Sequence, residues 1–348
     1  MTTAHHPSAS NNYYWPEIYT DMPIMWTEEG TRPHPYFDTP LPRRFGKVSS
    51  LDPEVFSSIA EFVEELLAGT SSGRYSPLEV AGWLERAAAD TDEHLAAIRS
   101  VTPDPESDLR RLTIDVAILA ELGRFFAEKL RAGVFYELHD TTGSRAARGK
   151  AVGAYRSAVR AWRTVPVAAG DAYTADLTFG PEAHLRGHWN DRMDAIEADL
   201  RDMEERRPEV VGPEDDDRAS RVLEAAARPL PDVEVAHDPP TTYRPRADLP
   251  LEVEVRGPDA STVTHVVLRY RPMNQALAYA ALDMAGSGRR FVARVPGEEL
   301  DGAYPLAYAF VLRTEAGIAW RHPGLGPDLG FQPYVVVPPL HNPPAGPM

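Results

Sequence analysis

A wide apolar stripe between Glu106 and Leu138 is the feature that most constrains how this chain folds. Its members recur every three or four residues, the spacing of one helix face: Leu109, Leu112, Val116, Leu119, Gly123, Phe126, Leu130, Val134 and Leu138. A second apolar strip lies beside it, formed by Ile114, Ile118, Leu122 and Phe125. Because a surface this wide needs more than one neighbouring helix to cover it, the pattern predicts the central helix of an α-helical bundle.

Helix start and stop signals predict further helices around this one. Asp52 is expected to cap the first of them, and Ser76 with Glu79 is expected to form a capping box at the start of the second. The helices are predicted at 51–67, at 76–100, from the turn at 140–143 to 165, at 182–206 and at 219–227. They define an α-helical bundle over residues 51–228.

The hydrophobic period changes from helical to alternating after Leu230. The run PLEVEVRG alternates Leu251, Val253 and Val255 with charged residues, and similar runs follow, separated by Gly, Pro, Asp and Asn. Short strands with no helix between them indicate an antiparallel β-sandwich, here at 251–339. A stiff proline-rich linker is expected at 229–250 and a disordered tail at 340–348. The predicted fold class is therefore α+β with several domains.

Residues 1–50 combine many aromatic rings with many prolines. The prolines block regular helix and central strand, while so many rings argue against a disordered tail. We expect an irregular, ordered segment whose rings pack either on the bundle or on a partner's surface.

The net charge of -16 excludes two classes of partner. An acidic surface repels phosphate backbones and anionic lipid, so neither nucleic acid nor a membrane is expected as a partner. The chain has no cysteine, which excludes disulfides, thiolate nucleophiles and zinc sites built on sulfur. It shows no secretory signal pattern and no long apolar run. We expect a cytoplasmic protein that uses no cofactor.

The densest polar cluster follows His184 and includes His188, Asp191 and Asp199. On a helix, His188 lies one turn from both His184 and Asp191. A metal site needs three or four converging ligands, and this spacing supplies two. We therefore favour a structural role and expect no metal here, with His188 and Asp191 kept as weak catalytic candidates.

A second candidate is the run NNYYWPEIYTDMP near the N-terminus. Tyr14 or Trp15 would stack on the apolar face of a sugar ring, while Glu17 and Asp21 would accept its hydroxyls or act as catalytic acid and base. Further candidate ligand-binding rings are Trp26 and Trp189. Simple aromatic packing of this segment is the competing interpretation, because prolines leave the separation of the two carboxylates undefined.

Several stretches resemble the C-terminal region of large bacterial proteins similar to glycoside hydrolases. These are YSPLEVAGWLE (75–85), LGRFFAEKLRAG (122–133), LTFGPEAHLRGHWNDR (177–192), VVLRYRPMNQA (266–276), YPLAYAFVLR (304–313) and QPYVVVPP (332–339). The resemblance implies a helical domain followed by an immunoglobulin-like sandwich. In such proteins a catalytic barrel of roughly 250 residues comes first. That barrel would precede Asn11, where only ten residues stand here, so we expect the accessory region without the catalytic one.

The sequence leaves three candidate functions from different classes. The favoured one is a noncatalytic accessory protein that docks to a separately encoded catalytic barrel or to a second copy of itself. The alternative is a glycosidase-like hydrolase whose site lies between the aromatic N-terminal segment and the fifth helix, with His188 and Asp191 as orienting groups. A carbohydrate-binding module built on the sandwich is the third.

Overall fold

The computed structural model describes residues 52–101, 108–178, 186–205, 215–274 and 276–340. The chain divides into two compact units: residues 1–67 with 75–226, and residues 68–74 with 227–348. The first unit is mainly helical and the second is mainly antiparallel sheet, so the α+β class is confirmed. None of the helices in the described ranges is both long and apolar enough to cross a membrane.

Six helices form most of the first unit where it is described. They are α1 (Ile59–Ala68), α2 (Pro77–Val101), α3 (Asp108–Thr142), α4 (Arg145–Ala169), α5 (Met193–Glu205) and α6 (Asp216–Ala226). The long helix α3 packs against α2, α4 and α6. Its Phe125 meets the ring of Trp162 on α4 edge to face, with 5.1 Å between the ring centroids. Both rings are fully buried, which places the centre of this core between α3 and α4.

The capping box predicted at the start of α2 is confirmed. The Ser76 amide donates to the Glu79 carboxylate at 2.8 Å, and the Glu79 amide donates to the Ser76 hydroxyl at 3.2 Å. These bonds satisfy amide groups that have no partner inside the helix.

The predicted start of the first helix was wrong by several residues. Asp52 begins a turn, in which the Phe56 amide donates to the Asp52 carbonyl at 2.9 Å. Phe56 then pairs with Tyr75, which holds this part of the chain out of the helix. A second capping box, between Ser58 and Glu61, starts α1 instead.

The predicted start of the fifth helix was also wrong. Strand β1 (Leu177–Thr178) pairs with β2 (Arg186–Gly187), and a 3-10 turn at Trp189–Arg192 precedes α5. Gly187 has a φ of 119°, a conformation that glycine adopts readily and that interrupts a helix. A Cβ atom at Gly187 would lie 2.6 Å from the Asp191 carboxylate. His184 lies outside the described residues.

The second unit contains two larger antiparallel sheets. Its strands are β3 (Glu234–Ala236), β4 (Leu249–Arg256), β5 (Val263–Pro272), β6 (Ala280–Asp283), β7 (Ala285–Ser287), β8 (Arg290–Val295), β9 (Leu306–Thr314), β10 (Ala319–His322) and β11 (Val335–Val337). One sheet has the order β3-β4-β8-β7. The other has the order β10-β9-β5-β6, and β11 pairs with β9.

The two sheets share one apolar core. Along β4 the predicted alternation is confirmed, since Leu251, Val253 and Val255 are buried. They pack in one cluster with residues of the other sheet, including Leu268 on β5 and Phe310 on β9. Charged residues of β4 therefore lie on the opposite face of its sheet.

Candidate functional site

The apolar residues that recur from Leu109 to Leu138 are buried in the second half of α3 and partly exposed in the first half. From Gly123 onward these residues are buried, and Phe126, Leu130 and Val134 are at most 1% exposed. In the first half, Leu112 is 56% exposed and Leu119 is 38% exposed. We call Leu112, Val116 and Leu119 the α3 stripe; Val116, between the two leucines, is partly exposed.

The first half of α3 buries the second apolar strip instead. Ile118 and Leu122 are 4% and 2% exposed, and Ile114 is partly buried. Both strips are therefore covered only in the second half of the helix. The first half buries one strip in the core and leaves Leu112 and Leu119 of the other strip on the surface.

Charged and polar groups lie beside the α3 stripe. Arg110 forms an ion pair with Asp171 at 3.2 Å, and Arg111 is exposed. The Tyr173 hydroxyl donates to the Asp115 carboxylate. Burial, and then this hydrogen bond, raise the pKa of Tyr173 to about 12, so the hydroxyl keeps its proton at neutral pH. An apolar patch with a polar rim is typical of a protein interaction surface.

His188 and Asp191 lie close together, but in a helix cap. The His188 amide donates to the Asp191 carboxylate at 2.7 Å, and the Asn190 amide donates to His188 Nδ1 at 3.3 Å. Because Nδ1 accepts this bond, the neutral ring carries its proton on Nε2. The arrangement is a capping box for the turn that leads into α5. Both side chains thus have a local structural use.

Trp189 packs inside the helical unit. Its side chain is 9% exposed, and its carbonyl accepts a hydrogen bond from the indole of Trp162 at 3.0 Å. The Tyr173 ring meets it edge to face, with 5.3 Å between the ring centroids. The residue anchors the turn before α5 to α4.

The other sequence candidates lie in the N-terminal segment. Tyr14, Trp15, Glu17, Asp21 and Trp26 are all outside the described residues. Within the described ranges, no group of three or more His, Asp or Glu side chains has the arrangement of a metal site.

The second unit contains a groove that the sequence interpretation did not anticipate. Its volume is about 820 Å³. One wall is the chain from 235 to 241, and the other is β4 at 250–252 with Glu254 and Arg256. Glu252 forms an ion pair with Arg290, and Glu254 pairs with Arg256 at 2.7 Å. The Arg256 hydrogen bond lowers the pKa of Glu254, so this carboxylate is suited to charge pairing and unsuited to act as an acid at neutral pH.

His237 lies where the two walls of the groove meet. Its Nδ1 is 2.6 Å from the Glu252 carbonyl oxygen, and its Nε2 is 2.7 Å from the Tyr308 hydroxyl. A carbonyl only accepts hydrogen bonds, so Nδ1 carries the proton and Nε2 accepts from Tyr308. The local sequence, AHDPP, predicts a turn but contains no sign of this long-range network.

Comparison with known proteins adds little to this geometry. No protein-family model matches the chain, and no curated protein matches it either. Among solved structures, it is similar to a GH138 enzyme targeting pectin rhamnogalacturonan II, with 11% sequence identity and a TM-score of 0.38. The match covers 76% of this chain and 36% of that enzyme. A likeness of this size assigns neither a fold nor a residue's role, and we take neither from it.

Proposed function

We propose that this protein is a noncatalytic accessory subunit that docks to a partner protein through the α3 stripe. The observation that carries the proposal is the change along α3 from a buried apolar stripe to an exposed one. Leu112 and Leu119 are seven residues apart, two helical turns, and so lie on one face. Fully burying an exposed leucine is worth about 1.5–3 kcal/mol, and covering these two partly exposed side chains contributes a corresponding share of that.

Two of the four candidate catalytic residues, His188 and Asp191, lie in the described residues, and their structural use supports a noncatalytic role. In the cap before α5, the Asp191 carboxylate accepts from the His188 amide and the His188 ring accepts from the Asn190 amide. In the groove of the second unit, Glu252 and Glu254 are both engaged with arginines. These carboxylates serve charge pairing or helix capping.

The charge of the chain favours a different protein over a second copy as the occupant of the stripe. With a net charge of -16, two copies repel each other as they approach. A partner with an apolar patch and a basic or neutral rim avoids this repulsion. The six stretches that resemble the C-terminal region of glycoside-hydrolase-like proteins point to a carbohydrate-active barrel as that partner.

The same resemblance supports a more specific description of the fold. We propose that the helical unit is an α-helical bundle and that the two sheets of the second unit form an immunoglobulin-like sandwich. We propose further that the aromatic rings of residues 1–50 extend the docking surface. Tyr14, Trp15 and Trp26 would then contribute contact area, in place of a sugar-binding platform.

The experiment that tests the function is the solution mass of the purified protein, measured by light scattering after size exclusion. It is measured alone and after mixing with the purified product of a barrel-encoding gene that neighbours its own. A stable one-to-one complex is expected. A monomer that shows no affinity for the barrel overturns the docking proposal, and hydrolysis of a glycoside that is lost in Glu17→Gln supports the enzyme alternative in its place.

A further inference from the structure

The pairing between β3 and β4 is followed by a hydrogen bond from a side chain. β3 pairs with β4 over three residues, the last pair being Ala236 with Glu254. Two residues further along β4, the Glu252 carbonyl accepts from the imidazole of His237 at 2.6 Å. A side chain thus occupies the position where a strand amide would continue the ladder.

The other side of the same ring reaches the second sheet. Nε2 accepts from the hydroxyl of Tyr308 on β9 at 2.7 Å. The ring also meets Phe310 edge to face, with 4.9 Å between the ring centroids. A neutral His237 therefore connects β4 of one sheet to β9 of the other, with both nitrogens used.

A second proton on His237 disrupts this arrangement. Nε2 would become a donor, and the Tyr308 hydroxyl would have to turn its hydrogen away from the ring. Tyr308 is completely buried, so its hydroxyl is shielded from bulk water. The charged ring would also have to remain partly buried, which costs free energy.

Some of the charged and titratable groups around His237 favour protonation of its ring and others oppose it. Asp238, next in the chain, is exposed and favours protonation, whereas His322 on β10 repels a second positive charge. The Glu252 carboxylate is occupied by Arg290, and burial raises the pKa of Tyr308. Burial is the largest effect on His237 and lowers its pKa; burial, followed by repulsion from His237, also lowers the pKa of His322.

We infer that His237 is a pH-sensitive latch on the groove between residues 235–241 and β4. When the ring takes up a proton it leaves its site between the Glu252 carbonyl and Tyr308, and the chain at 237–241 moves away from β4. The groove then widens and the edge of β4 becomes available for binding.

The direction of the pH dependence follows from the lowered pKa. Neutral imidazole is the form that the folded latch holds, while the unfolded chain protonates near the ordinary histidine value of about 6.5. The latch contributes its full stability above this value. That contribution is lost as the pH falls from about 6.5 towards the lower folded pKa.

Amide hydrogen exchange tests the latch, with protection factors compared at pH 7.5 and at a pH of about 5. In the wild-type protein, protection of segments 234–241 and 249–256 is expected to fall by about tenfold or more at the lower pH. The central strand β9 at 306–314 is expected to change much less. Equal protection at the two pH values, or an equal loss in all three segments, overturns the proposal.

Two variants separate the latch from a general effect of acid. His237→Gln keeps a donor and an acceptor but does not titrate, so it is expected to remove the pH dependence. His322→Gln is the matched control and is expected to retain it.

A third variant is used if His237→Gln folds poorly. Tyr308→Phe is expected to raise the pH at which protection is lost, because Nε2 loses its donor. Pronounced pH dependence in His237→Gln, or an unchanged midpoint in Tyr308→Phe, contradicts the latch.

Discussion

The two halves of α3 carry the same apolar pattern and have different uses. In the second half, both strips are covered by neighbouring elements, and Phe126 and Leu130 are almost completely buried. In the first half, Ile118 and Leu122 take over the core contact while Leu112 and Leu119 remain on the surface. One half of the stripe thus holds the unit together, and the other half is the surface that we propose for docking.

The largest expected effect is in the buried half. Leu130→Ala removes a completely buried side chain and is expected to cost about 2–5 kcal/mol of unfolding free energy, because it leaves a cavity in the core. Urea unfolding followed by far-UV circular dichroism measures it. A loss below about 1 kcal/mol would mean that the two halves differ less than their burial indicates.

An intermediate effect is expected at the cap before α5. Asp191→Ala removes the acceptor of the 2.7 Å bond from the His188 amide and is expected to cost about 1 kcal/mol, as loss of a helix cap does. Asp194→Ala, in the first turn of the same helix, is the control and is expected to cost less, since its contribution is through the helix dipole. Equal losses in the two variants would remove the structural role that we assign to Asp191.

A gain in stability is expected at Gly123, where the two halves of α3 meet. A Cβ atom there would lie 3.5 Å from the Leu84 carbonyl oxygen and 3.9 Å from Ala88 Cβ, both ordinary contacts. Alanine is the better helix former by about 0.8–1.0 kcal/mol, so Gly123→Ala is expected to stabilise the helical unit by up to that amount. A destabilised variant would indicate that α2 and α3 pack too closely at this point for any side chain.

The smallest effect is expected in the exposed half. Leu112→Ser changes a side chain that is 56% exposed and is expected to alter the unfolding free energy by no more than about 0.5 kcal/mol. The measurement is the same urea unfolding as for Leu130→Ala. A loss comparable to that of Leu130→Ala would show that Leu112 belongs to the core and would withdraw it from the docking surface.

Periodicity predicted the faces of α3 correctly, but it did not predict which parts of those faces the neighbouring elements cover. The spacing of Leu112, Leu119 and Leu130 is equally helical, so the sequence assigned all three to one stripe. Whether a position on that stripe is covered depends on where the surrounding elements end, and this is a tertiary property. Capping chemistry is more local, which explains why Ser76 and Glu79 were placed correctly.

The candidate sites show the same division between local and long-range information. The helical spacing of Leu185 and Trp189 concealed the break at Gly187, although His188 and Asp191 have the three-residue offset of a capping box. His237 was not singled out, because its partners are a carbonyl 15 residues away and a hydroxyl 71 residues away. No local pattern contains contacts of that kind.

The most direct test of the docking proposal compares two exposed surfaces of the helical unit, the α3 stripe and a site on α4. Leu112→Asp with Leu119→Asp places charges in the α3 stripe, and Val167→Asp places one on α4 at a side chain that is 78% exposed. The affinity of each variant for the purified barrel is measured by titration calorimetry. The account predicts at least a tenfold weaker complex for the stripe variant, since more than about 1.4 kcal/mol is lost, and an unchanged complex for Val167→Asp. Equal affinity in the two variants would contradict the α3 stripe as the docking surface.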